Sequence, residues 1–402
     1  MSDHPDLEKL PLEVDGIPVR ETVREIFRNP ENGLPNKIRK MGCWSLALKS
    51  DELGKGAGKS HIVWNEWFKI FFGTEFGHQI DFSGLECTIN NRINFSKFNF
   101  ENQMHFSDFK FDGPAYFENA NFGLRSTFRG AVFPLNIQNN GLFYVTASFK
   151  NAKFRGLVDF SAIHHSGKEK SNNDVDVFPE IHFDGANFGG VADFSNRKFK
   201  GKTSFKNVCF SKAPIFHNCE LHQDTTFEGA KFPLATGSEE AVRAYRTLKL
   251  AFSKQQAVRE EQRFFRLEME EETLRETGLK RLLFQAYKTF SDYGFSITRP
   301  LKYGGLAVLV LTALYGLLSW LGQCGLSVQA CHFAPQWLEF SLLQTLPLPG
   351  LDKLSEAASK AFWPQGAWWS FGLSALVILH KTLSLAVLFL IGLALRNLFK
   401  LK

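Results

Sequence analysis

The chain has 402 residues, of which 44% are hydrophobic and 22% are charged, and its formal net charge is +6. This composition allows several packed domains and excludes a wholly disordered chain. The excess of 47 Lys and Arg over 41 Asp and Glu is too small to predict nucleic-acid binding, and six Cys exclude a disulfide-based scaffold. The 42 Phe, against 7 Tyr and 8 Trp, are abnormal and indicate a sequence repeat.

Residues 1–79 carry the fewest recognisable signals, and we assign them to an N-terminal cap region. No apolar segment follows a basic one at the N-terminus, so we predict no cleavable signal peptide. The segment LGKGAGKS lacks the spacing of a phosphate-binding loop, because Gly54 and Gly58 enclose three residues where that loop needs four. The aromatic segment WNEWFKIFF at residues 64–72 is predicted to cover the first repeat.

Phenylalanine then recurs with alternating steps of five and six residues. The predicted repeat core consists of Phe183, Phe188, Phe194, Phe199, Phe205, Phe210, Phe216, Phe227 and Phe232. The same ladder runs earlier from Phe95 to Phe160. Five residues advance a helix by about 500°, so no helical stripe explains this period. A solenoid explains it if about 22 residues form a four-sided turn and each Phe points inward.

This pattern, seen in FDGANF, FKGKTSF and FEGAKF, resembles the Phe-rich variant of the pentapeptide-repeat family. The resemblance covers about residues 80–233 and implies a right-handed quadrilateral β-helix. Residues 161–182 are polar and interrupt the ladder, so we predict a loop that leaves one corner. Some members of the family mimic DNA with an acidic surface. The charge of residues 81–232 is nearly balanced, which argues against that activity here.

Residues 234–299 lose the Phe ladder and become charged, and we predict an amphipathic helical connector. Apolar residues within 239–280 have helical spacing, and Ser238 is placed to cap the N-terminus. We expect these helices to cover the open end of the solenoid, because exposed strand edges would otherwise pair with other chains. The alternative is a lever or oligomerisation segment between the solenoid and a membrane.

Two apolar segments near the C-terminus are long enough to cross about 30 Å of hydrocarbon. We predict transmembrane helices at about 301–321 and 370–395 within a membrane domain of residues 300–402. The alternative is two buried helices of a soluble domain. Basic residues before the first span and after the second predict that both termini are cytoplasmic and that loop 322–367 is periplasmic.

The segments AYRTLKLAF, RFFRLEME, SDYGFSITRP and LRNLFK resemble bacterial inner-membrane proteins that carry pentapeptide repeats. This resemblance extends over most of residues 80–402 and implies a location in the bacterial inner membrane. The predicted fold is therefore of mixed class. A right-handed quadrilateral β-helix is followed by the α-helical connector and by two transmembrane helices with a re-entrant-like loop.

Residues 333–352 contain an apolar segment that is too short to span a membrane and ends in a Pro/Gly stretch. This layout is typical of a re-entrant pore helix and filter, and it resembles a degenerate potassium-channel pore loop. Pro347 and Pro349 stand where a K⁺ filter needs Gly, so the sequence excludes a K⁺-selective filter. A less selective pore and an interfacial helix on the outer leaflet both remain open.

The predicted pore-lining side chains come from this loop and from the second span. They are Ser341, Gln344, Thr345, Pro347, Pro349, Gly350, His380 and Lys381. An ionisable pair within a span normally faces protein or water. The alternative is that His380 and Lys381 lie near the lipid headgroups. Two spans cannot enclose a pore, so a channel needs a homo-oligomer, with a tetramer favoured. Cys324 and Cys331 lie in the same loop, as a disulfide or as two free thiols.

Two functions of different classes follow from this organisation. The first is a membrane-bound oligomeric channel-like effector, whose cytoplasmic β-helix senses or binds a partner and controls the pore domain. The second is a membrane-tethered protein-interaction scaffold that does not conduct. We expect no enzyme, cofactor or metal, because no nucleophile elbow, metal-ligand motif or paired catalytic carboxylates stand in a suitable setting. The expected partners are membrane lipid, further copies of the chain and an unidentified protein on the β-helix, without nucleic acid.

Overall fold

A computed structural model describes most of the chain. The described residues are 5–28, 35–54, 59–71, 79–83, 93–100, 103–111, 113–134, 147–162, 176–324, 336–346, 350–363 and 367–399. They belong to two compact units, Met1–Glu271 and Glu272–Lys402.

The first unit begins with helices that pack on the first repeats. A short 3-10 helix (Pro5–Lys9) and the antiparallel strands β1 (Glu13–Val14) and β2 (Ile17–Pro18) precede α1 (Val19–Arg28), α2 (Pro35–Gly54) and α3 (Ile62–Phe71). Trp64 of α3 stacks on Phe98 with ring centroids 5.8 Å apart, and its indole N–H donates to the Asn99 carbonyl at 2.9 Å. Trp44 of α2 meets Phe82 edge to face at 5.2 Å. Buried aromatic side chains therefore join these helices to the repeats.

The repeat segment, residues 80–233, is built from very short parallel strands. These are β3 (Gln79–Asp81), β4 (Ile93–Asn94), β5 (Asn99–Phe100), β6 (Gln103–His105), β7 (Ala115–Tyr116), β8 (Asn121–Phe122), β9 (Arg125–Thr127), β10 (Ala147–Ser148), β11 (Lys153–Phe154), β12 (Leu157–Asp159), β13 (Val177–Phe178), β14 (Ile181–His182), β15 (Asn187–Phe188), β16 (Ala192–Asp193), β17 (Lys198–Phe199), β18 (Thr203–Ser204) and β19 (Cys209–Phe210). In the described part of the segment they form parallel sheets with the strand orders β18-β14-β10-β7-β4, β19-β15-β11-β8-β5, β16-β12-β9-β6-β3 and β13-β17.

Strand register places equivalent phenylalanines of successive repeats on one another. Phe122 pairs with Phe154, Phe154 with Phe188, and Phe188 with Phe210. Their rings are nearly parallel, with centroids 4.6, 4.9 and 5.1 Å apart. This spacing is close to the separation of hydrogen-bonded strands, so one geometry satisfies the backbone and the rings together.

The repeats differ in length. Phe188 and Phe210 are 22 residues apart, whereas Phe122 and Phe154 are 32 apart and Phe154 and Phe188 are 34 apart. The sequence analysis placed a loop at 161–182. Residues 163–175 lie outside the described residues, whereas β13 and β14 within 176–182 pair with strands of the repeats, so the predicted loop extended too far. The sequence analysis did not identify the first insertion, because Phe143 and Phe149 continued the Phe spacing closely enough to hide it.

Corners of the repeats place a residue with positive φ two positions after an inward Phe. The residues in this position include Asn119, Asn151, Gly185, Asn207 and Gly229, with φ between 55° and 69°. Asn and Gly tolerate this left-handed conformation better than other residues do. The following N–H donates back to the carbonyl of the Phe, as from Ala186 to Phe183 at 2.9 Å. This left-handed conformation explains why Gly or Asn often stands two positions after an inward Phe.

Two helices close the other end of the repeat segment. The sequence analysis expected helical structure over 239–280, and the structure breaks it into α4 (Glu239–Lys254), α5 (Val258–Arg275) and the start of a third helix. The Ser238 side chain caps α4 by accepting from the Ala241 N–H. Phe264 of α5 lies edge to face on Phe227 of the last repeat at 5.4 Å. Aromatic packing thus covers the final ring stack.

The second unit is entirely helical in its described residues. Its helices are α6 (Gly278–Ser291), α7 (Thr298–Cys324), α8 (Gln336–Thr345), α9 (Leu351–Phe362) and α10 (Ala367–Phe399). Thr298–Leu321 and Trp368–Phe399 are long and apolar enough to cross a membrane. Only 28% and 11% of an apolar 18-residue window in each are buried, whereas a core helix of a soluble protein is mostly buried. Their exposed leucines and phenylalanines support membrane association.

Candidate functional site

Polar side chains gather between α7, α8 and α10, which are otherwise apolar helices. This polar cluster consists of Thr312, Tyr315, Ser341, Gln344, Thr345 and His380. Tyr315, Ser341 and His380 have no exposed surface, and Gln344 is 2% exposed. Polar groups buried between apolar helices are costly, so this cluster, in which five of the six residues are buried and Thr345 is partly buried, is a candidate functional site.

Hydrogen-bond directions within the polar cluster are fixed by its hydroxyl groups. The Thr312 hydroxyl donates to the Val308 carbonyl at 2.7 Å, so it accepts from the Ser341 hydroxyl at 2.6 Å. The Thr345 hydroxyl donates to the Ser341 carbonyl at 3.0 Å, so its oxygen accepts from His380 Nε2 at 3.3 Å. A neutral His380 therefore carries its proton on Nε2 and presents Nδ1 as an acceptor.

Three further polar atoms of the cluster have no hydrogen-bond partner within the described parts of the chain. They are Tyr315 Oη, Gln344 Oε1 and His380 Nδ1. The rings of Tyr315 and His380 stack with centroids 6.0 Å apart. Gln344 Oε1 and His380 Nδ1 are acceptors, whereas the Tyr315 hydroxyl can donate or accept, so two of the three unpartnered atoms can only accept. The cluster is suited to receive hydrogen bonds from a small donor.

Helix α8 reaches the level of the middle of α7. Ser341 bonds to Thr312, which lies 14 residues after the start and 9 residues before the end of the span Thr298–Leu321. At 1.5 Å per residue, Thr312 is about 14 Å from the nearer end of that span.

The structure brings four of the predicted pore-lining residues together, namely Ser341, Gln344, Thr345 and His380. They face one another inside a single copy of the chain. Lys381 is half-buried beside His380 on α10, and Gly350 is exposed before α9 with a φ of 95°. Pro347 and Pro349 lie outside the described residues, as do Cys331 and the side chain of Cys324.

Thr312 and Tyr315 were missed by the sequence analysis. Each is unremarkable alone in an apolar helix. The available signal was their spacing, because Thr312, Tyr315 and Ser319 follow one another at steps of three and four and therefore share one face of α7. All three are at least 90% buried. Small or polar residues on one face of a span are typical of a helix-packing surface.

A second candidate site is a cleft in the first unit, between the last repeats and α4. Its volume is about 710 Å³. Lys198 and Asp176 form an ion pair of 2.7 Å on one wall, and the half-exposed Leu250 belongs to the other. Burial alone raises the pKa of Asp176, but the hydrogen bond and charge of Lys198 lower it below its ordinary value. The cleft therefore combines an apolar side chain with a fixed charge pair.

Arg197 and Cys219 lie inside the same repeats. The Arg197 guanidinium is completely buried and donates to the carbonyls of Phe160, Ala131, Phe128 and Ser161. Burial lowers its pKa to about 10, so it stays charged at neutral pH. Burial also raises the pKa of the Cys219 thiol to about 12. We assign both to packing, since the guanidinium is enclosed and the partly buried Cys219 thiol, which lines the cleft, stays protonated near neutral pH.

The described ranges contain no candidate metal site, since no group of three His, Cys, Asp or Glu there could hold an ion.

Comparison with known proteins gives one family. Residues 183–231 match the family described as Pentapeptide repeats (9 copies), which confirms the repeats that the Phe spacing predicted and implies a β-helix. No curated protein and no solved structure matches the chain. A domain of this family suggests protein interaction.

Proposed function

We propose that the chain is a membrane-anchored scaffold for protein interactions. The repeat segment binds a protein partner, and α7 and α10 hold it at the membrane. The observation that supports this most strongly is the presence, in one chain, of pentapeptide repeats and two apolar helices that expose their large side chains. Repeat domains that present stacked strands offer extended surfaces to partners. The proposal assigns no enzymatic activity, no cofactor and no nucleic acid.

The proposal includes a finer architecture and location. The repeat segment is a right-handed quadrilateral β-helix, supported by its parallel sheets and stacked phenylalanines. Residues 1–79 cap one end, and the connector 234–299 leads to the membrane domain. The chain lies in the bacterial inner membrane with both termini cytoplasmic and loop 322–367 in the periplasm. Arg299, Lys302 and Arg396 beside the spans support this orientation.

The partner surface that we propose is the cleft between the last repeats and α4. Leu250 is 53% exposed there, beside the ion pair of Lys198 and Asp176. An apolar side chain surrounded by polar groups resembles the composition of a protein-binding surface. A partner that buries Leu250 would gain apolar contact. It would also form polar contacts with the ion pair beside that leucine.

Photo-crosslinking in intact cells tests the scaffold. A photoreactive amino acid replaces Leu250 in the full chain, and the matched control replaces Leu124, a 76% exposed leucine of the repeat segment outside the cleft. We expect a discrete adduct at position 250, absent at 124 and abolished by Lys198→Glu. Equal labelling of both positions, or none at either, would contradict the cleft as the partner surface.

A second function, the channel-like effector, is favoured by the polar cluster. If α8 enters the bilayer as a re-entrant helix, Ser341, Gln344, Thr345 and His380 provide polar groups at its middle. A pore would need several copies, with a tetramer favoured, and a rearrangement that turns the buried cluster toward their shared axis. The mass of the detergent-solubilised protein tests this step. A defined tetramer supports the channel, and a monomer contradicts it.

A further inference from the structure

Helix α6 carries a stripe of exposed leucines. Leu279, Leu282 and Leu283 are exposed by 71%, 61% and 58%, and Phe290 near the end of the helix is exposed by 42%. Their spacing of three, one and seven residues places them on one face of the helix. Four large hydrophobic side chains on one exposed helical face form a patch that water does not favour and that marks an interaction surface.

The remaining surface of α6 is basic. Lys280, Arg281 and Lys288 are exposed, and α6 contains no Asp or Glu. Lys280 bonds to Glu276, just before the helix, and its ammonium lies 5.6 Å from the ring of Phe284. At about 100° per residue, Arg281 and Lys288 lie opposite the apolar stripe, and Lys280 lies between the two faces. An apolar face opposite a basic one, without acidic residues, is typical of helices that lie in the interface of an anionic membrane.

The C-terminal end of α6 is fixed to the ends of both spans. Phe290 packs edge to face on Tyr303 of α7 at 5.2 Å, and the Arg299 guanidinium donates to the Lys288 carbonyl at 2.8 Å. The Asn397 side chain, in the last turn of α10, donates to the Gly294 carbonyl at 2.8 Å. These contacts place the end of α6 where α7 begins and α10 ends, which is the level of the membrane boundary.

The leucine stripe lies at the other end of the helix, away from these contacts. If α6 ran alongside α7 within the hydrocarbon, its leucines could face lipid, but the exposed Lys280, Arg281 and Lys288 would then lie in hydrocarbon as well. If α6 pointed away from the membrane, the stripe would remain in water. Only a course along the membrane surface satisfies both the fixed end and the apolar face.

We propose that α6 lies in the plane of the membrane, in the leaflet where α7 begins. Leu279, Leu282 and Leu283 enter the boundary between headgroups and acyl chains, and the three basic residues contact anionic phospholipid headgroups. This lipid contact is separate from the two spans and from any partner of the repeat segment. It makes the unit that contains α6 responsive to the anionic lipid content of its own leaflet.

Fluorescence of the full chain in lipid vesicles tests the placement of α6. An environment-sensitive fluorescent amino acid is inserted at position 283 or, as the matched control, at Gln285 on the polar side of the same helix. The vesicles contain phosphatidylcholine with or without phosphatidylglycerol, and a nitroxide-labelled lipid quenches fluorophores near the acyl chains. In phosphatidylglycerol vesicles we expect blue-shifted emission at 283 and several-fold stronger quenching there than at 285.

The charge contribution is tested by the triple variant Lys280→Glu, Arg281→Glu, Lys288→Glu, which we expect to weaken quenching at 283 by several-fold. Weak quenching with water-like emission at 283 would overturn the proposal. Blue-shifted emission without lipid quenching would also overturn it, because a second copy or a protein partner would then cover the stripe. Quenching at 283 that is equal in both lipids and in the triple variant would overturn the role of anionic headgroups.

Discussion

Phe205 is buried between two further phenylalanine rings of the repeat segment, Phe183 at 5.1 Å and Phe227 at 4.7 Å. Because the rings are nearly parallel and the backbone around them is hydrogen-bonded, neighbours cannot move in to fill a gap. We predict that Phe205→Ala lowers the free energy of unfolding of the first unit by about 3–5 kcal/mol. Denaturant unfolding followed by the β-sheet circular dichroism signal measures it. The control Leu124→Ala removes an exposed side chain, and a loss below about 1 kcal/mol for Phe205→Ala would contradict the packing.

Cys219 gives a prediction that depends on pH. Its thiol donates to the Phe194 carbonyl at 3.0 Å, and burial raises its pKa from an ordinary value of 9.0 to about 12. As pH rises from about 9 to 12, only the unfolded chain loses this proton, so the group's contribution to stability falls over that range. Because the partly buried thiol stays protonated, we expect alkylation of Cys219 at pH 8 to be many-fold slower in the folded protein than in guanidinium, as measured by peptide mass spectrometry. Equal rates in both conditions would show that the thiol is not protected.

Single residues differ in how far their positions can be predicted from the sequence. The inward phenylalanines were predictable because a period of eleven has one structural explanation. The burial of Arg197 was not predictable, because it depends on carbonyl partners that lie 36 to 69 positions away in the sequence. Four of the six residues of the polar cluster were candidates from the sequence. Ser341, Gln344, Thr345 and His380 were named as pore-lining candidates, whereas Thr312 and Tyr315 depend on which face of α7 meets α8.

At the scale of elements, Glu271 of α5 holds the start of α4. One carboxylate oxygen accepts from the N–H groups of Thr236, Gly237 and Ser238 at 3.0, 2.6 and 3.1 Å, and the side chain is 1% exposed. Glu271→Ala leaves these three donors without that acceptor, and we predict a loss of about 3 kcal/mol in the free energy of unfolding. Glu276→Ala, on a half-buried glutamate five residues later, serves as the control for thermal unfolding. Similar melting temperatures for both variants would contradict this role.

The contact of α8 with α7 is testable by a double-mutant cycle. Ser341→Ala and Thr312→Val each remove one hydroxyl of the 2.6 Å hydrogen bond. We predict that the two changes interact by about 0.6 kcal/mol and by no more than about 1.7 kcal/mol, the range for hydrogen bonds between helices in a membrane. Unfolding in mixed detergent micelles measures the four proteins. An interaction energy of zero would show that α8 does not reach the middle of α7.

At the scale of the whole molecule, the order of segments followed from changes in periodicity along the chain. Steps of five and six predicted the repeats, and two long apolar runs predicted the spans. The break between α4 and α5 was harder to predict from the sequence, because the helical spacing of the charged residues 239–280 continues through Gln256, whose φ is 57°. The lipid-facing stripe of α6 was hidden for a related reason. Its leucines have the same spacing as a core face, and only the structure shows that they are exposed.

The central claim for the whole molecule is that the membrane unit anchors the repeat segment and does not conduct. Ion flux from vesicles that contain the purified chain tests it most directly, with protein-free vesicles as the baseline and Lys381→Leu as the matched variant. The account predicts that wild type and variant both leak no faster than protein-free vesicles. Flux that rises with the amount of protein and changes in Lys381→Leu would contradict the anchor and establish the channel.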